Sequence, residues 1–155
     1  GYSVTGISGK TDTSLLDQLG IKHVITRNDF LENTKAPILK AQWAGVIDTV
    51  GGEILATAIK ATQLDGIVTC CGNVASPDLP INVFPFILRG VSLFGIDSQH
   101  CRMGFRSNVW EKLASDWKFD LLENIYDEIS LDQLNEKIDS ILKGELKGRT
   151  LINLD

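Results

Sequence analysis

The stretch Tyr2-Ser-Val-Thr-Gly-Ile-Ser-Gly-Lys10 decides how the rest of the chain is read. An apolar run passes, within a few residues of the first position, into a small, polar and basic turn made by Ser8, Gly9 and Lys10. In a βα unit that holds a dinucleotide, the end of the second strand meets the adenosine ribose. An acid there accepts the 2′-hydroxyl, whereas a base meets a 2′-phosphate. The stretch therefore reads as such a second strand, and the first strand with its glycine-rich turn is expected to be absent from this chain.

Working outward, residues 11–13 supply groups suited to cap a helix whose apolar face is Leu15, Leu16 and Leu19, with Gly20 as its stop. His23-Val-Ile-Thr reads as a short strand, and residues 30–42, broken by Pro37, as a loop or short helix. Residues 43–50 are apolar on both faces, which predicts a central parallel strand with helices on either side. Gly51-Gly52 turns the chain, and Ile54, Leu55, Ala58 and Ile59 recur at helical spacing. Gly66-Ile-Val-Thr-Cys-Cys-Gly72 is the next buried strand, and a Pro-bearing crossing over 77–85 leads through Phe86-Ile-Leu-Arg-Gly into a strand over 91–97.

Beyond Ser98 the pattern turns helix-rich. Val109, Trp110, Leu113 and Trp117 form one helical stripe and read as core. Ser130-Leu-Asp-Gln133 has the spacing of a capping box, Leu134, Ile138, Ile141 and Leu142 carry the following helix to Gly144, and residues 148–154 read as a last strand. The alternation predicts an α/β fold, a Rossmann-like doubly wound parallel sheet truncated at its N-terminus. The expected division is a truncated dinucleotide-binding domain over 1–98 and C-terminal helices and strand over 99–155.

Composition narrows the partners. The chain has 155 residues, 43% hydrophobic and 23% charged, which suits one soluble globular domain. Acidic residues outnumber basic ones by 20 to 15, for a formal charge of -5, so no nucleic acid is expected as a partner. No apolar run approaches the roughly 18 residues of a membrane span, so no membrane partner is expected and the cytoplasm is the expected location. Cys70, Cys71 and Cys101 contain no C-x-x-C pair and read as free buried thiols. His23 and His100 have no acid and nucleophile at a spacing that suggests a triad.

The blocks Ser8-Gly-Lys10, Ala44-Gly-Val-Ile-Asp-Thr-Val-Gly51, Cys71-Gly72, Pro85-Phe-Ile-Leu-Arg-Gly90, Gly95-Ile-Asp-Ser98 and Lys147-Gly-Arg-Thr-Leu151 follow one another in this order. Together they resemble the acrylyl-CoA reductase branch of the quinone oxidoreductase-like medium-chain dehydrogenases. The resemblance spans nearly the whole chain but only the C-terminal half of such an enzyme. It implies NADP(H) as cofactor and zinc-independent reduction of an activated carbon-carbon double bond. The acceptor would be a small molecule of the enoyl-CoA type, such as acryloyl-CoA, or a quinone, with hydride passing to the β-carbon.

Residue by residue, the resemblance implies that Ser8, Gly9 and Lys10 meet the 2′-phosphate, with Arg27 as a second cation. A hydroxyl, a glycine that admits the backbone and two cations suit a dianionic phosphate. Asn73 is implied as a further cofactor contact, and Ile87 and Ser98 as lining the nicotinamide side. Asp48 is expected to order the Gly51-Gly52 turn, and Arg149 to anchor the last strand. No catalytic residue and no metal ligand is implied for this half. A homodimer through the strand over 91–96 is the expected assembly.

The chain alone is expected to bind NADPH weakly or not at all and to have no turnover. In the strand order 3-2-1-4-5-6 the absent first strand lies between the opening strand and that over 44–50. Residues 150–154, a partner chain or collapse of the sheet are expected to fill the gap. Two other readings are weighed: a nucleotide-binding regulatory Rossmann module without catalysis, and a methyltransferase, which would want an acid where Lys10 stands.

Overall fold

The structure is a computed structural model that describes residues 1–154. In chain order the elements are β1 (Thr5–Ser8), α1 (Ser14–Gln18), β2 (His23–Thr26), α2 (Arg27–Phe30), β3 (Trp43–Asp48), α3 (Gly52–Lys60) and β4 (Thr62–Cys70). They continue as α4 (Phe84–Arg89), β5 (Ser92–Gly95), α5 (Met103–Ala114), β6 (Tyr126–Ser130), α6 (Leu134–Leu142) and β7 (Arg149–Asn153). Two compact units arise: Ile7–Gly9 with Ile25–Arg102, and Gly1–Gly6 with Lys10–Val24 and the chain from Met103 onward.

The first of these is built on the parallel sheet β3-β4-β5. Its register sets Val46 beside Val68 and Val68 beside Leu93, so these three share one face. That face meets α3: Leu55, Ile59, Val68 and Val91 form the buried cluster, with Val46, Cys70, Ile81, Phe86 and Leu93 packed around it. The other face carries Ile47, Ile67 and Phe94, all exposed, Ile47 to 85%. The expected two-sided cover of this strand is therefore a one-sided cover in this chain, because α3 shields only the residues of one parity.

Where α3 ends, Arg89 fastens three stretches. Its Nη1 donates to the carbonyls of Lys60 (3.1 Å) and Thr62 (3.0 Å), and its Nη2 to that of Leu39 (2.5 Å). The guanidinium thereby ties the last carbonyl of α3, which also accepts from the Leu39 amide, to the first residue of β4 and to the loop at Leu39. The stretch that carries it is helical: Pro85 sits in the first turn of α4, and Gly90 ends it in the left-handed conformation at φ 59°. Sequence periodicity misses this helix, since six residues of mixed apolar type do not separate helix from strand.

Strand β4 begins earlier than expected. Asp65 has a φ of 56° and the β3–β4 register shifts between Trp43 and Gly45, which marks a bulge that lets Thr62 and Gly66 belong to one strand. Strands β1 and β2 pair in a ladder of their own, and among the described residues no strand joins that ladder to β3. Residues 150–153 do not fill such a place. They lie in β7, which runs parallel to β6 with Thr150 beside Asp127.

The second unit holds α1, α5, α6 and the β6–β7 pair. The amide of Ser130 donates to Gln133 Oε1 at 3.1 Å, as the capping-box spacing predicts. Strand β6 is absent from the sequence reading, because its Tyr126-Asp-Glu-Ile-Ser alternates weakly. On α5 the aromatic stripe is not core: Trp110 is 65% exposed and Trp117 is also exposed, with the Lys112 ammonium 5.3 Å from the Trp117 ring centroid. Among the described residues no helix is long and apolar enough to cross a membrane.

Replacing Arg89 by Met keeps the aliphatic stem and removes the three donors. Losing these three charge-assisted bonds is expected to lower unfolding free energy by about 2–4 kcal/mol in urea titrations. An unchanged midpoint and slope would show that the clamp carries no weight.

Candidate functional site

The parallel register brings Asp48, Cys70 and Gly95 level, so the three strands of the main sheet end together. In open α/β sheets ligands bind beyond the carboxyl ends of the strands, and the loops that leave these ends are therefore the candidate site.

At the end of β1, Gly9 lies against Arg27. A Cβ on Gly9 would stand 3.3 Å from Arg27 Cδ, 3.4 Å from Nε and 3.6 Å from Cζ. The missing side chain is what lets the guanidinium lie along the turn, since any larger residue would displace it. Arg27 opens α2, whose first turn is tied by the Thr26 hydroxyl accepting from the Asp29 amide at 3.1 Å. Sequence reading places Arg27 at a strand end; the structure places it one residue past β2, in the helix.

Lys10 is the next residue after Gly9, and its ammonium donates to the carbonyl of Leu146. Asp12, the acid nearest in sequence, is engaged as well. Its carboxylate pairs with the Lys147 ammonium and accepts from the Ser14 amide at 2.9 Å. The Lys147 hydrogen bond, followed by those from Ser14, holds the Asp12 carboxyl well below the usual carboxylate range. Its charge is thus answered locally.

The loops after β3 and β4 interlock. Asp48 is buried, and its carboxylate accepts from the Gly51 amide at 3.0 Å, which ties the Gly51-Gly52 turn as expected. The Asp48 carbonyl accepts from the Cys71 amide at 3.0 Å, and that of Val50 from the Ala75 amide at 2.9 Å. Gly51 has a φ of 72°, and a Cβ there would collide with the Ser76 carbonyl and approach the Asn73 Cα to 3.2 Å. A Cβ on Gly72 would collide with the Thr49 carbonyl. Asn73 therefore stands three residues beyond the end of β4, held close to the Gly51 turn, and is exposed. The sequence marks these glycines as turns but carries no signal that the two loops touch.

After β5, Asp97 orders the turn that follows Ser98. Its Oδ1 accepts from the amides of Gln99 and His100, both at 3.1 Å, and its Oδ2 lies 2.8 Å from His100 Nδ1. The backbone amide of His100, then its ring, lowers the Asp97 carboxyl from its ordinary value. Ser98 is exposed in this turn, and Ile87 is 68% exposed on α4, so Ile87 is no core residue. The structure thus joins Gly9 with Arg27 and Asn73 with Gly51, whereas Ile87 and Ser98 stand on separate elements.

The thiols are free, but Cys71 is exposed and Cys70 and Cys101 are half-buried, so the expectation of buried thiols does not hold. Cys71 leaves the sheet where the strand ends, and burial stops with the strand. Among the described residues no three His, Cys, Asp or Glu side chains converge as they would around a metal ion.

Residues 1–117 match the protein family described as zinc-binding dehydrogenase. The chain is 40% identical over 156 aligned residues to the putative quinone oxidoreductase YhfP of Bacillus subtilis, covering 99% of this chain and 47% of that protein. The crystal structure of Bacillus subtilis yhfP with NAD bound superposes with a TM-score of 0.92. The probable acrylyl-CoA reductase AcuI of Escherichia coli is 35% identical, over 100% of this chain and 48% of its own length. The yhdH oxidoreductase of Salmonella enterica, crystallised in complex with NADP, is 34% identical with a TM-score of 0.93, covering 100% of this chain and 48% of that one. The chain spans about half the length of the curated relatives it matches.

Because the folded Asp12 carboxyl is depressed, its pairing with Lys147 is fully present above the unfolded aspartate value of about 3.9 and is lost only as pH falls through the lower folded value. Carbon-13 NMR of the labelled carboxyl is expected to find no inflection near pH 4. An ordinary aspartate titration would contradict the pairing.

Proposed function

This chain belongs to the zinc-binding dehydrogenase family, and on that premise we propose that it is the NADPH-binding half of a reductase acting on an activated carbon-carbon double bond. The acceptor is an enoyl thioester of the acryloyl-CoA kind or a quinone, the two classes named for its relatives AcuI and YhfP. The observation that carries the reading is the packing of Arg27 against the side-chain-free Gly9, beside Ser8.

Related structures hold NADP, NADPH or NAD, so the choice between them rests on this chain's own residues. An adenosine 2′-hydroxyl would be met by an acid at the end of β1, and Ser8, Gly9 and Lys10 stand there instead. The Ser8 hydroxyl and the Arg27 guanidinium suit a phosphate, and Arg27 can meet it with two parallel N–H bonds. Asp12 does not counter this attraction, since its charge is balanced by Lys147. Lys10, the residue after Gly9, donates to the Leu146 carbonyl and adds a second cation to this stretch of sequence.

When bound, NADPH supplies the hydride; the chain's residues hold and orient it. Asn73 is kept beside the Gly51 turn by the interlocked loops, where its amide can meet the cofactor backbone. Ser98, in the turn ordered by Asp97, and the exposed Ile87 border the nicotinamide side. The family's description names zinc, yet tetrahedral sites need several Cys, His or carboxylate donors together, and the described residues hold no such set. No step of this reading runs through a metal.

The exposed face of Ile47, Ile67 and Phe94 and the open edge of β3 suit cover by the remainder of a polypeptide as long as the relatives. A homodimer through β5 follows from the same logic, because β5 is the other edge of the sheet and exposes Phe94, with Ile96 exposed just beyond it.

Two assays test the proposal. The intact polypeptide that contains this chain is expected to oxidise NADPH with acryloyl-CoA or a quinone. Arg27→Ala is expected to raise KM for NADPH about ten- to a hundredfold and leave NADH nearly unchanged. The 155-residue chain by itself is expected to give no turnover. Turnover by the isolated chain, or equal losses with both cofactors, would contradict the reading. Tight nucleotide binding by the isolated chain without turnover of any kind would favour a regulatory module instead.

A further inference from the structure

The cleft of about 450 Å³ between α3 and the segment after α2 is lined by Leu31, Thr34, Lys35, Glu53, Lys60 and Pro80. It shares no residue with the Ser8-Gly9-Arg27 turn, and its charges are unusual. Lys60 is only 7% exposed. Its ammonium donates to the Thr34 carbonyl at 2.6 Å, and among the described residues the ion pairs lie elsewhere, at Asp97, Asp127 and Asp12. An ammonium has three donors, and a buried cation with one neutral acceptor is under-satisfied.

The rest of the cleft points the same way. Spacing of four and three residues sets Glu53, Thr57 and Lys60 along one face of α3. Thr57 is 2% exposed, and its hydroxyl has no partner. Lys35 and Glu53 reach the cleft with no hydrogen bond or ion pair among the described residues. The cleft thus offers two ammonium groups, of which Lys60 is buried and Lys35 exposed, and the exposed carboxylate of Glu53; Thr57 lies buried on the same helix and does not line it.

We infer that this cleft binds a small protonated oxyanion, a phosphate group that retains one P–O–H. The charged oxygens accept from Lys35 and Lys60, and the acidic hydroxyl donates to the Glu53 carboxylate. A fully ionised anion such as sulfate could use the lysines but would face Glu53 with no proton to offer. Its rejection follows from the same geometry. Free phosphate and the phosphate of a small phosphomonoester share this chemistry.

The test is isothermal titration of the 155-residue chain with inorganic phosphate, glycerol phosphate and sulfate near pH 6.5. At that pH all of the free phosphate keeps at least one proton, and roughly a quarter of an ester does. One phosphate per chain is expected, with sulfate about tenfold weaker and Lys35→Met lowering phosphate affinity about tenfold. Lys35 has no hydrogen-bond or ion-pair partner among the described residues, so its variant keeps the fold, which far-ultraviolet circular dichroism checks, whereas Lys60→Met removes a buried ammonium. Glu53→Gln is expected to erase the preference for phosphate over sulfate. Binding of glycerol phosphate as tight as or tighter than phosphate identifies an ester as the source, and weaker binding identifies the free ion. No saturable phosphate binding, or binding that Lys35→Met and Glu53→Gln leave unchanged, overturns the inference. Arg27→Ala leaves this binding intact, which separates its failure from failure of the NADPH reading.

Discussion

The structure depends on the packing of one helix against one face of three parallel strands. Ile59 and Val68, both fully buried, meet at the centre of that contact, and Leu55, Val46 and Leu93 surround it. Helix α3 is buried over almost its whole length, with Glu53 the exposed residue. Burial of an Ile or Leu side chain is worth about 1.5–3 kcal/mol, so this small cluster contributes several kcal/mol of stability. The parallel register follows from it, because α3 fits only when β3 and β4 run the same way. The register in turn sets Asp48, Cys70 and Gly95 level and gives the candidate site its floor.

The loops at that edge are held by backbone more than by side chains. Asp48 and Gly51, Val50 and Ala75, Asp48 and Cys71 form a web in which two glycines stand where any Cβ would collide with a carbonyl. Such a web fixes the backbone that a ligand would touch, and it leaves Asn73 exposed at the surface. At the opposite end of α3, Arg89 performs a similar task for three carbonyls. The Pro-Phe-Ile-Leu-Arg-Gly stretch is thus explained by the fold: proline starts α4, arginine reaches back to α3 and β4, and glycine ends the turn.

Much of this was legible in the sequence because it rests on local rules. The periodicity of Ile54, Leu55, Ala58 and Ile59 marks α3, the double glycine marks its start, and the small basic turn at Ser8 marks a strand end. What escaped needed contacts between distant residues. Two-sided apolar character in β3 predicts two-sided cover, but Ile47 is exposed, since hydrophobicity records what a face suits and not what lies on it in this chain. The stripe of Trp110, Leu113 and Trp117 misled for the same reason. Helix α4 and strand β6 were too short for their period to declare itself. The pairing of Asp12 with Lys147, across most of the chain, leaves no trace in local pattern.

The candidate site joins these two layers. A strand-end turn readable from sequence acquires its meaning from a contact readable only in three dimensions, the Arg27 side chain lying along Gly9. The claim at the centre of the account is that this turn selects a 2′-phosphate. Calorimetric titration of the intact polypeptide with 2′,5′-ADP and with 5′-AMP isolates that group from the rest of the cofactor. The account predicts binding of 2′,5′-ADP tighter by about tenfold or more, as expected for charge-assisted bonds to a phosphate. Equal affinity for the two, or tighter binding of 5′-AMP, would contradict it.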